Sequence, residues 1–95
     1  MEVTIKQLRE AFEKLAVHLE QQGKKSVAIP FDFYWSIPKV QLYDNYDQPT
    51  QLTMGQLSDD LLELQRIASG ESPTISYGYV WLSTILKAIG DSEVD

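Results

Sequence analysis

The chain has 95 residues, 43% of them hydrophobic and 23% charged, with a net charge of −6 and no cysteine. That composition is of one ordinary folded domain, 1–95, and it excludes disulfides, thiolate metal sites and thiol nucleophiles. Residues 1–25 balance to +1, whereas residues 26–95 set only Lys39, Arg66 and Lys87 against ten carboxylates, a surface that repels phosphate backbones and disfavours nucleic acid.

The amphipathic opening after Met1-Glu2 lacks the basic-then-apolar plan of a signal peptide, and no apolar run approaches a membrane span, so a cytoplasmic, membrane-free protein is expected. Thr4 and Gln7 have capping-box spacing. Ile5, Leu8, Phe12, Leu15, Ala16 and Leu19 follow at intervals of three and four, forming one apolar stripe. Gly23 is a natural stop, with Lys24 and Lys25 suited to the negative end of the helix dipole. These signals predict a first helix over residues 4–22.

Residues 26–51 hold three of the four prolines and six of the ten aromatics. Val27–Ile29 and Val40–Tyr43 have strand character and can pair as a short hairpin, with Pro30 and Pro38 keeping any strand short or at an edge. Asp32–Ile37 reads equally well as a single helical turn capped by Asp32.

Thr53 and Gln56 repeat the capping-box spacing, with Ser58 a competing start, and predict a second helix over about 54–69. Leu57, Leu61, Leu64, Ile67 and Ala68 make its buried stripe, and Gly70 ends it. Asp59 and Asp60 fall where carboxylates complement the helix dipole. Ser72-Pro73 opens a third helix over about 75–89, apolar almost all round at its start and ended by Gly90, with 91–95 a frayed acidic tail. The fold class is therefore mainly α, three helices with an ordered aromatic-rich connection; the alternative is α+β with a short two-stranded hairpin in 26–51.

Catalytic residues are scarce. His18 is the only histidine and falls near the polar side of the first helix, so histidine triads and histidine-based metal sites are incomplete. Asp44, Asp47, Asp59 and Asp60 supply the hard oxygens a divalent cation needs, yet Asp44-Asn45-Tyr46-Asp47 lacks the glycine and terminal glutamate of a calcium loop. Turn formation is the commoner use of such residues. No cofactor and no enzymatic activity are expected.

Phe31-Asp32-Phe33-Tyr34-Trp35, followed by Tyr43 and Tyr46, offers the best recognition surface, because Tyr and Trp bring contact area with few rotors and a polar tip. A small core must also absorb some of these rings. Phe31, Phe33 and Trp35 are expected to turn inward, and Tyr34, Tyr43 and Tyr46 outward.

Tyr34-Trp35-Ser36-Ile37-Pro38, Tyr43-Asp44, the run Leu52 to Asp60, Glu63-Leu64-Gln65, Trp81-Leu82 and Ala88-Ile89-Gly90 together resemble a group of small uncharacterised bacterial proteins over about residues 33–90. The resemblance implies a bacterial origin and brings no activity or fold with it.

The expected function is a non-enzymatic protein-binding domain, such as a small acidic inhibitor of immunity type or an accessory protein, with a basic protein as its partner. Partner-binding candidates are Tyr34, Trp35, Tyr43, Asp44, Tyr46, Asp47, Asp59 and Asp60. The alternatives are a homo-oligomeric structural module that closes its apolar stripes by self-association, and a carboxylate-based divalent-metal site.

Overall fold

Local capping chemistry and periodicity agree at the N-terminus, and the first helix forms where they do. In a computed structural model, which describes residues 1–36 and 53–93, α1 runs over Ile5–Gln21. The Gln7 backbone N–H donates to Thr4 Oγ1 at 3.0 Å and the Thr4 N–H donates to Gln7 Oε1 at 3.0 Å, so both halves of the capping box are made. At the other end Gly23 adopts φ 82°. There the Gly23 and Lys24 N–H groups donate to the carbonyls of Glu20 and Leu19, the two bonds of a Schellman ending.

The short two-stranded sheet of the α+β alternative is present, in other residues than expected. Strand β1 (Phe33–Ser36) pairs antiparallel with β2 (Thr53–Gln56), in the register Phe33↔Gln56, Tyr34↔Gly55, Trp35↔Met54, Ser36↔Thr53. Val27–Ile29 is not a strand, and its proposed partner Val40–Tyr43 lies outside the described residues. The helical turn proposed for Asp32–Ile37 gives way to β1, because a facing strand satisfies its backbone groups.

Helix α2 (Leu57–Ser69) follows β2 without a break, so Thr53–Gln56 is strand and the capping box expected there does not form. The cap comes from across the sheet. Asp32 Oδ1 accepts from the Ser58 N–H at 2.7 Å, Oδ2 accepts from Ser58 Oγ at 2.9 Å, and the Asp32 carbonyl accepts from the Leu57 N–H at 2.7 Å. Two backbone N–H groups at the helix start, and the Ser58 hydroxyl beside them, are satisfied by one residue. Asp32→Ala is expected to lower stability by about 1–2 kcal/mol in urea denaturation, with Asp32→Asn recovering most of it because the amide oxygen still accepts. Equal losses in the two variants would show that charge, not capping, is the contribution. Gly70 ends α2 in the left-handed region, at φ 83°.

Helix α3 spans Gly78–Glu93 and departs from its expected bounds at both ends. Short i→i−3 bonds, from Gly78 to Ile75, Tyr79 to Ser76 and Val80 to Tyr77, form a tight entry turn before the α-helix proper. Gly90 does not stop the helix, and its φ is not left-handed. The last turn is held by Lys87 donating to Asp91 at 3.2 Å and by an ion pair between Glu93 and Lys24, so Asp91–Glu93 are helix rather than frayed tail.

The core lies between α2, α3 and the underside of β1. Leu57, Ile85 and Ala88 are buried, with Ile29, Tyr34, Leu64 and Ile89 packed against them. Of the stripe expected to be buried on α2, Leu57 is covered, Leu64 and Ile67 are half-buried, and Leu61 and Ala68 face water. Tyr79 and Val80 are also exposed, so α3 is not surrounded as its all-round apolar start predicts. Among the described residues no helix is long and apolar enough to cross a membrane.

Candidate protein-binding surface

Strand periodicity sorts the aromatic run onto two faces. In β1, Tyr34 points one way and its neighbours Phe33 and Trp35 the other; across the pair, Met54 shares the face of Trp35. Phe33, Trp35 and Met54 are 59%, 64% and 57% exposed. The expected orientation is therefore reversed: Phe31, Phe33 and Trp35 are exposed, and Tyr34 is the ring that turns inward.

Tyr34 turns inward because its polar tip has a partner there. Its hydroxyl donates to Asp60 Oδ2 at 2.6 Å, and Thr84 Oγ1 lies 2.6 Å from the same oxygen and 2.8 Å from the Trp81 carbonyl. Asp60 is the one buried charged side chain among the described residues, and this network ties β1, α2 and α3 at one point. Burial, then the hydrogen bond to Asp60 and the Asp60 charge, push the Tyr34 phenol up to about 12. Gly55, directly opposite, leaves the room that the ring occupies.

The candidate residues thus separate. Tyr34 and Asp60 come together, but as an internal brace. Asp59 is exposed in the first turn of α2, where it complements the helix dipole. Trp35 stands on the outward face of the sheet. Tyr43, Asp44, Tyr46 and Asp47 lie outside the described residues, and so does the proposed cation loop. Among the described residues no three His, Cys, Asp or Glu side chains converge as metal ligands. His18 is exposed on α1, its Nε2 3.0 Å from Gln22 Nε2.

Phe31 and Phe33 belong to the aromatic stretch read as a recognition surface but were expected to turn inward, and Met54 was not a candidate. The alternation Phe33-Tyr34-Trp35 shows in the sequence that the three cannot share a face, but not which face is inside. Phe31 stands between two apolar grooves. One, of about 490 Å³, is floored by Leu57, Leu61 and Ile85, with Asp32 and Ser58 at its side. The other, of about 320 Å³, lies between Trp35 and α3, with Lys87 and Asp91 among its lining residues. Tyr34 and Thr84 of the brace also line the second groove, so that apolar surface is backed by the network that ties β1, α2 and α3. Compared with protein-family models, with curated proteins and with solved structures, the chain matches none.

Proposed function

We propose that this chain is a non-enzymatic protein-binding domain that docks a partner on the outer face of its two-stranded sheet. The observation that carries this reading is the exposed trio Phe33, Trp35 and Met54 on one face of the sheet. Large aromatic and Met side chains are the types enriched where partners bind, and leaving three of them in water is unfavourable unless something covers them. The balance of −7 over residues 26–95 favours a basic partner, as a small bacterial cytoplasmic inhibitor of immunity type or an accessory subunit would have.

The test uses the chain as bait in its native host, beside a Phe33→Ser/Trp35→Ser/Met54→Ser variant, followed by calorimetry with the purified captured protein. A partner bound by the first and weakened at least a hundredfold by the triple change is the expected result, about 2.7 kcal/mol or more. Equal affinity for both baits would sink this reading.

A further inference from the structure

We infer that α1 is a self-pairing element, through which two copies of this chain associate as a short antiparallel two-helix coiled coil. This surface is separate from the sheet face, and the two stand or fall independently.

Ile5, Leu8, Phe12, Leu15 and Leu19 follow one another at spacings of three, four, three and four, the a/d repeat of a coiled-coil seam. In the folded chain this seam faces water: Ile5, Leu8, Phe12 and Leu15 are 59%, 49%, 52% and 65% exposed. Other described residues meet α1 near its C-terminal end. Val27 lies beside Ala16 and Leu19 there, and Lys24 is ion-paired to Glu93.

Charge admits a second copy and sets its direction. The positions flanking the seam within α1 are Ala11, Ala16 and His18, with Arg9 the single formal charge and Glu13 four residues beyond it. A second α1 therefore approaches without meeting a wall of like charge. Residues 26–95 of each copy carry −7, so the two acidic bodies must be kept apart. Antiparallel pairing does this. α1 has 17 residues and is about 25 Å long, and bodies at opposite ends are separated by several Debye lengths of about 8 Å. Parallel pairing would set the two bodies side by side and align the helix dipoles.

The area is sufficient for a weak dimer. At roughly 200 Å² per fully exposed side chain of this size, the four exposed residues offer on the order of 450 Å² per copy, so two copies bury on the order of 900 Å² before flanking stems are counted. With the two-fold axis near Glu10, Leu8 meets Phe12 of the second copy and Ile5 meets its Leu15.

Sedimentation equilibrium of the full chain from about 10 µM to 1 mM is expected to show monomer–dimer exchange. Leu8→Glu/Phe12→Glu is expected to be a strict monomer. The milder Phe12→Ala, which guards against misfolding as the cause, is expected to raise the dimer Kd at least tenfold. Phe33→Ser/Trp35→Ser is expected to leave that Kd unchanged. Because the chain has no cysteine, a spin label on Gln21→Cys reads the helix direction cleanly: a pair distance above about 30 Å is expected, and one below about 20 Å overturns the antiparallel arrangement. A wild-type monomer throughout the range, or a dimer untouched by both α1 variants and lost in the sheet variant, overturns the self-pairing of α1.

Discussion

Asp60→Ala is expected to lower the unfolding free energy by about 2–3 kcal/mol, while Asp60→Asn, which keeps an acceptor oxygen, loses about 1 kcal/mol. Asp60 Oδ2 is the shared acceptor for the Tyr34 and Thr84 hydroxyls, each 2.6 Å away. Removing it orphans the Tyr34 hydroxyl and opens a small void between α2 and α3. The single Thr84 hydroxyl proton can turn to the Trp81 carbonyl, 2.8 Å away, so Thr84 loses less. Urea denaturation measures the loss. In a cycle with Tyr34→Phe the two effects should fall short of additivity by about 1 kcal/mol, because either change breaks the same bond. Strict additivity would mean that the brace does not act as a unit.

The same contact has a signature in pH. The folded chain favours the neutral phenol of Tyr34, raised from 10.0 to about 12, so its contribution to stability is complete below the unfolded value. That contribution is lost as pH rises from 10.0 through about 12. An absorbance titration of the native chain beside Tyr34→Phe should show a late-ionising phenol that the variant lacks. In Asp60→Ala that tyrosine should ionise earlier but remain above its ordinary value, since burial is the larger cause.

Gly55→Ala is expected to cost about 2–3 kcal/mol, although alanine is ordinarily harmless in a strand. Gly55 does not have a left-handed φ, so the backbone is not the reason. A Cβ at this position would fall within the Tyr34 ring, which covers the glycine from the opposite strand. The outer end of a side chain can usually swing away. Here it is tied to Asp60, so relief of the overlap breaks the hydrogen bond as well. Thermal denaturation should therefore show strong coupling: in a Tyr34→Ala background the added Ala at position 55 should cost under about 0.5 kcal/mol. A neutral Gly55→Ala in the native chain would contradict this packing.

Where a structural decision depended on residues a few positions apart, it was legible in the chain. α1 is the clearest example, since Thr4, Gln7, the apolar spacing and Gly23 lie within one segment and all act locally. The stop of α2 at Gly70 is another. The start of α2 was not legible, because its cap is Asp32, 26 residues from Ser58, and because Thr53–Gln56 found a strand partner instead of joining the helix. Gly90 reads as a stop in isolation, yet pairing of Lys87 with Asp91 and of Glu93 with Lys24 holds one further turn of helix.

The candidate site divides in the same way. Residue types and alternation marked the Tyr34–Trp35 stretch as aromatic surface and Asp59–Asp60 as a carboxylate pair. They could not separate the brace from the docking face, because that choice rests on Asp60 and Thr84 waiting on two other helices and on the space at Gly55. By itself the sequence determined which segments are amphipathic, where α1 begins and ends, and that thiol and histidine-triad chemistry lack their residues. Only the tertiary structure decided which apolar faces are covered, because amphipathicity states that a face disfavours water and is silent on what shields it. The core took Leu57, Ile85 and Ala88, and it left the α1 stripe and the outer face of the sheet in water.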